Sequence, residues 1–301
     1  MKNLKVNENN ILKLVVGIVI FIYIIFGTSF LSDASGSYNN VKKNMSNSQE
    51  KTTDNITVTF LDIGQGDAII INSDNKYVLI DSGSYKNNEK IIKYLNDYEI
   101  KKFEYVIATH PDEDHIGNMS SIIKSYEINN FLMPDIISTT KTFSDMLDQM
   151  KEKNLKYDTP NVDDIFYLND AKFEVISIGN NSNNSNDSSI ILKLIYHDTS
   201  FLFMADASIN LENKIINKDI KSDVIKLGHH GSKESTSSEF IKKVDPKYAV
   251  ISVGENNIYN HPSKEVIDLL NLNHIKIFRT DIDGNITFTS DGFKISVTSE
   301  N

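Results

Sequence analysis

Apolar positions fall into two regimes along this chain. From 14 to 31 the run LVVGIVIFIYIIFGTSFL is apolar on every side, behind a basic head of Lys2, Lys5 and Lys13. Such a run is at the short end for a membrane-spanning helix and the long end for a signal-peptide core. Ser32-Asp33-Ala34 offers a small-x-small cleavage step, so residues 1–32 are expected to be either a signal peptide or a membrane anchor. Length does not choose between the two, and both put the remainder outside the cytoplasm, secreted or membrane-anchored. Residues 33–55 are mostly Ser, Asn, Lys and Gln, which predicts a flexible polar linker.

From Ile56 the pattern changes to short apolar bursts separated by turn residues. Strand periodicity predicts strands at 56–61, 67–71 and 76–80, joined through Gly64-Gln65-Gly66 and through 72–75. Further strands are predicted at 103–108, 131–133, 172–178, 190–196, 199–204, 223–227, 248–253, 276–278, 285–289 and 293–297. Helical spacing is read at 89–95, 118–125, 142–153, 211–217, 237–244 and 264–270. Runs of strands with helices between them predict an α/β sandwich of two mixed sheets flanked by helices, over residues 56–298.

Composition narrows the chemistry. The 301 residues contain no Cys, which excludes disulfides, thiolate metal sites and cysteine nucleophiles. Net charge is −10; the first 13 residues hold three lysines against one glutamate, leaving 28 basic and 40 acidic residues, a balance of −12, in the rest. A domain of that sign has no general electrostatic footprint for nucleic acid. Bound divalent ions would offset part of the charge locally.

The densest chemistry is Thr109-His110-Pro111-Asp112-Glu113-Asp114-His115, directly after the strand at 103–108. Imidazoles and carboxylates on the loop after a strand suit Zn²⁺, Mn²⁺ or Fe better than Ca²⁺. His110 and Asp112 are two apart and share one side of an extended turn, while Asp114 and His115 lie on the next bend. A second cluster is Gly228-His229-His230-Gly231-Ser232. Strand alternation from Ile225 and Leu227 favours His229 as the inward residue, and a turn at Gly228 would favour His230 instead. His197 and His274 stand outside any motif and are read as structural.

Five motifs, FLDIGQGD at 60–67, IDSG at 80–83, HPDEDHIG at 110–117, FMAD at 203–206 and GHHGS at 228–232, occur in that order. Together they resemble the metallo-β-lactamase superfamily, in particular the branch of the extracellular hydrolase domain of ComEC competence proteins. The resemblance implies an αββα fold and a metal-dependent hydrolase using a metal-activated water. It implies one or two divalent ions, Zn²⁺ or Mn²⁺, held by His110, Asp112, Asp114, His115, Asp206 and His229, with Asp206 bridging. Asp114, His230, Tyr259 and His261 would serve the reaction, orienting the nucleophile, steadying a substrate phosphate or protonating the leaving group. Asp67 and Asp81 are expected to orient ligands or to support turns, and Asp62 to cap one.

Two features depart from the wider superfamily. Asp112 stands where many members have His, and Asn186-Asp187-Ser188-Ser189 lacks the further imidazole expected there. A carboxylate-rich site shifts preference from Zn²⁺ towards Mn²⁺ or Mg²⁺. In Asn257-Ile258-Tyr259-Asn260-His261-Pro262-Ser263 amide, phenol, imidazole and hydroxyl donors stand beside a predicted helix start, a pattern that attracts phosphate oxygens. The resemblance to the ComEC-like branch implies a phosphodiester substrate, DNA among the candidates, and these donors suit its phosphate oxygens. The alternatives are a cell-surface phosphocholine-ester or lactone hydrolase and a metal-binding module without turnover.

Overall fold

The computed structural model describes residues 55–179 and 184–301. The apolar run, nearly all of the linker and positions 180–183 lie outside the described residues. Among the described residues, no helix is long and apolar enough to cross a membrane.

The strands are β1 Ile56–Phe60, β2 Ile69–Ser73, β3 Lys76–Ile80, β4 Lys102–Ile107, β5 Glu127–Leu132, β6 Tyr157–Asp158, β7 Ile165–Leu168 and β8 Ala171–Ile178. They continue as β9 Ile190–Tyr196, β10 Thr199–Phe203, β11 Val224–Lys226, β12 Tyr248–Ile251, β13 Lys276–Arg279, β14 Ile286–Ser290 and β15 Ile295–Ser299. One sheet has the order β15-β14-β1-β2-β3-β4-β5-β6, and the other β13-β12-β11-β10-β9-β8-β7.

The predicted sandwich holds, and its layers follow from which strand face is apolar. Between the sheets, Val58, Phe60, Ile71, Ile80 and Phe288 meet Phe173, Leu192, Phe201 and Phe203. On the outer face of the first sheet, Leu79, Phe103 and Val106 pack under Ile91, Leu95, Ile122 and Met146 of the helices. On the outer face of the second, Leu202, Ile225 and Ile251 pack under Leu211, Phe240, Val266 and Leu270. Both faces of the central strands are therefore buried, so they read as continuous apolar runs.

Each sheet contains a parallel block, β3 to β6 in one and β10 to β13 in the other. The loops leaving the carboxyl ends of β3, β4, β10, β11 and β12 carry the residues of the site. Crevices at the carboxyl ends of parallel strands are where α/β folds place ligands.

Some boundaries differ from expectation. Asp67 and Ala68 stand before β2, which starts at Ile69, because Asp67 is drawn into the interior. β6 and β7 were not legible: one is two residues long, and the other exposes Ile165 and Tyr167 at a sheet edge. The last strand runs to Ser299, and the amides of Glu300 and Asn301 donate to the carbonyls of Asn285 and Asp283, so packing continues past 298.

Candidate metal centre

Three imidazoles converge on Asp206, and each is anchored through Nδ1. Asp81, at the end of β3, is fully buried and accepts the Nδ1 proton of His115 at 2.8 Å. Asp81 also accepts from the Thr109 amide and hydroxyl at 2.8 and 2.7 Å. With its proton spent on Asp81, the Thr109 oxygen accepts from His110 Nδ1 at 3.0 Å. His230 Nδ1 donates to the Ser252 carbonyl at 2.8 Å. All three rings thus turn Nε2 inward, with a carboxylate behind His115, a hydroxyl behind His110 and a carbonyl behind His230 to set their orientation.

Facing them, Asp206 Oδ1 lies 3.1 Å from His115 Nε2, and Oδ2 lies 3.5 Å from His230 Nε2 and 3.9 Å from His110 Nε2. Asp114 Oδ2 is 3.2 Å from His230 Nε2, and Asp112 Oδ2 is 3.8 Å from His110 Nε2. Ligand atoms about 2.1 Å from a tetrahedral ion stand roughly 3.4 Å apart, the spacing of this cluster. The buried atoms His110 Nε2, His115 Nε2, His230 Nε2 and Asp206 Oδ1 have no hydrogen-bond partner among the described residues. Two overlapping groups, His110-His115-Asp206 and Asp114-His115-His230, each bring ligand atoms within 4.8 Å of one another. This donor set fits divalent metal.

Strand alternation misjudges the double histidine. The chain leaves β11 through a short 3₁₀ turn at Gly228–Gly231, in which His229 and His230 both adopt left-handed backbone angles. That turn sends His230 into the interior. His229 stays partly exposed, with Nε2 3.9 Å from Asp206 and its ring beside the Asn186 amide and 5.4 Å from the His261 ring. On this geometry His230 takes the ligand position assigned to His229, and His229 stands at the mouth. Asp112 also lies near the mouth, with 38% of its side chain exposed.

Burial and charge set the protonation. Burial, reinforced by His115, pushes His110 well below the ordinary imidazole range, so it is neutral. Burial opposes charge on His115 and His230 too, but Asp206 with Asp81 and Asp67 raises His115, and Asp206 with Asp114 and Asp67 raises His230. Asp206 and Asp114 are held well below the usual carboxylate range: the imidazoles outweigh their desolvation. Metal binding must then displace protons from His115 and His230. Affinity is expected to rise by up to about 100-fold per pH unit, tenfold for each proton released. Chelator competition at pH 6, 7 and 8 checks this; a flat profile contradicts it. In the metal-free chain the stabilisation from these raised imidazoles is complete below about pH 6.5 and is lost as pH climbs through their folded values.

The segment 186–189 does reach the site. Asn186 lines the central cavity, and Ser189 Oγ accepts from the Asp206 amide at 3.4 Å. Asp62 receives Lys90 at 2.7 Å and caps its turn through the Gly64 amide. Asp67 behaves differently. It reaches inward to a buried lysine, Lys226, which the motif reading passed over; the lysine Nζ also donates to the Ala205 carbonyl at 3.1 Å. The only sequence signal for this was a charge inside an apolar strand. Asp81→Asn is expected to weaken metal affinity about 10–100-fold while the fold persists, as metal titration would show.

The loop Gly254–His261 forms the opposite wall. Asn257 braces it, donating to the carbonyls of Gly254 and His261 and accepting from the His261 amide at 2.9 Å. Tyr259 is exposed and lies near-parallel to His261, ring centroids 5.7 Å apart. Ser263 caps the helix Lys264–Leu272 by accepting from the Val266 amide. His261 is pushed down to about 4 by burial and by His229 and His230, which favours a neutral ring at neutral pH.

Comparison with known proteins agrees with this geometry. The family model described as "Metallo-beta-lactamase superfamily" matches residues 61–255. ComE operon protein 3 of Bacillus subtilis is 32% identical over 252 residues, covering 77% of this chain and 32% of that protein. Competence protein ComA of Neisseria gonorrhoeae is 28% identical over 238 residues, again 77% of this chain and 32% of that one. The chain therefore spans about a third of the length of these relatives. Among solved structures, the metallo-β-lactamase fold protein YhfI of B. subtilis superposes with a TM-score of 0.56 at 13% identity, over 79% of this chain and all of that one. With anchored imidazoles at the strand ends and the family match running through them, the chain belongs to the metallo-β-lactamase superfamily, as a relative of the ComEC-like competence proteins.

Proposed function

We propose that this superfamily hydrolase is exported and cleaves phosphodiesters, DNA among them, with Mn²⁺ preferred to Zn²⁺. The observation that carries this reading is the set of inward, unpartnered Nε2 atoms around Asp206, opening onto a wall of neutral donors. A divalent ion, or a pair, held by His110, Asp112, Asp114, His115, Asp206 and His230 would supply a Lewis acid and a water made nucleophilic near neutral pH. Asp114, kept ionised beside His230, can orient the attacking water as a hydrogen-bond acceptor. His261 and Tyr259 can hold a phosphoryl oxygen by hydrogen bonds, which suits a tetrahedral anion better than a lactone ring.

Space on both sides of the centre supports an extended substrate. Tyr259 borders the central cavity and two larger clefts, one of about 560 Å³ towards Ser232, Lys233 and Lys264, the other of about 500 Å³ towards Ser84, Lys86 and Asn87. The name of one relative, competence protein ComA, is consistent with a DNA substrate. The acidic balance implies few neutralised phosphates, hence weak binding with a shallow salt dependence.

Hydrolysis of bis(p-nitrophenyl) phosphate and single-stranded DNA, assayed with each metal against choline esters and lactones, tests the reading. Turnover of esters or lactones alone would overturn it in favour of the surface-esterase alternative. His261→Ala is expected to lower phosphodiester turnover while metal content stays constant. Export, with the segment 1–32 in or through the membrane, rests on the sequence pattern. Protease added to wall-stripped cells should shorten the chain, and protection would contradict export.

A further inference from the structure

Gln65 sits in the turn between β1 and β2, flanked by Gly64 and Gly66, both at positive φ. Gly66 is needed there, since a Cβ would meet the Asp114 carbonyl oxygen at 2.1 Å. Across the site, the Gly254 amide donates to Gln65 Oε1 at 3.2 Å. A Cβ on Gly254 would stand 2.6 Å from the Gln65 amide nitrogen, so the two loops touch backbone to backbone. With Oε1 held by a donor, the amide has one orientation, because reversing it would set two N–H groups against each other. Nε2 must therefore point away from Gly254. It is buried and has no hydrogen-bond partner among the described residues. Gln65 borders the central cavity with Asp112, Asp114, Asp206 and His230, and also the cleft on the Lys86 side. A buried N–H left without an acceptor is unfavourable, so this group is poised to take one.

We infer that Gln65 is a substrate-binding residue, whose Nε2–H donates to a non-bridging phosphoryl oxygen seated at the metal centre. The donor itself follows from the geometry; its phosphoryl partner rests on the phosphodiester reading above. An anion entering among Asp112, Asp114 and Asp206 meets carboxylate repulsion, and a neutral donor fixed by the opposite loop offsets part of it without adding a charge that would compete with the metal.

The test uses the full-length, metal-loaded chain with Gln65→Met and Gln65→Glu, which keep side-chain length while removing the donor. Binding of inorganic phosphate is measured by calorimetry, beside metal stoichiometry, melting temperature and phosphodiester kinetics. Phosphate affinity is expected to fall about tenfold or more, and kcat by about 10²–10³-fold, with metal stoichiometry unchanged. Wild-type phosphate affinity and kcat in Gln65→Met would overturn the inference. So would loss of metal or of folding in both variants, which would make Gln65 a brace between loops. A wild-type chain that binds phosphate through Gln65 yet cleaves no phosphodiester would uphold the inference and sink the phosphodiesterase reading alone.

Discussion

Asp206→Ala is expected to strip the centre of metal and abolish hydrolysis. The Asp206 carboxylate lies 3.1 Å from His115, 3.5 Å from His230 and 3.9 Å from His110, so its loss removes the group that, among the described residues, is common to all three imidazoles. Residues behind metal ligands cost about 10–100-fold when changed, and a shared ligand should cost well beyond that. Elemental analysis of the purified variant is the direct measurement. Near-stoichiometric metal in Asp206→Ala would remove the centre from this place. A paired comparison separates the two adjacent histidines: His230→Ala should lose most of its metal, whereas His229→Ala should keep it and lose turnover. The reverse pattern would restore His229 as the ligand.

Lys226→Met is expected to cost roughly 3–5 kcal/mol of stability, the usual penalty for leaving a buried charge without its partner. Lys226 is fully buried, paired with Asp67, which is equally inaccessible. Domain stabilities are about 5–15 kcal/mol, so the change should consume a large share. It should also loosen the metal centre, since Lys226 holds the carbonyl of Ala205, whose left-handed turn delivers Asp206. Asp67 in turn faces His230 Nδ1 at 3.5 Å and His115 Nδ1 at 3.8 Å. Removing both partners, as Lys226→Met with Asp67→Asn, should cost less than the sum of the single changes, because neither leaves a lone charge. Urea unfolding with an unchanged slope reads the difference. A single-variant loss below about 1 kcal/mol would mean that Asp67 is stable unpaired, against the burial argument.

Much of this architecture was local information. Strand and helix periodicity located β1, β3, β4 and β8 to β14 and the larger helices, because apolar spacing records which face is covered. The ligand-rich segments were legible for the same reason: His110, Asp112, Asp114, His115 and Asp206 all leave the carboxyl ends of predicted strands, where chain order alone brings ligand types to one rim. Where two readings differ only in backbone conformation, the sequence was silent. The 3₁₀ turn at Gly228–Gly231 puts His229 and His230 in left-handed geometry, which breaks the period of two that favoured His229. Roles made by distant partners were equally out of reach. Asp81 was read as support, but that it holds His115 and, through Thr109, His110 depends on β3 lying parallel beside β4. Lys226 drew no reading from the sequence; its role appears only where Asp67, from the turn before β2, meets it inside the core. Gln65 was a turn residue in a glycine pair until the Gly254 loop fixed its amide. Composition and spacing determined which donors stand at the rim of the sandwich. Only tertiary packing decided which point inward and which are held, since desolvation and second partners act across elements that the sequence keeps far apart.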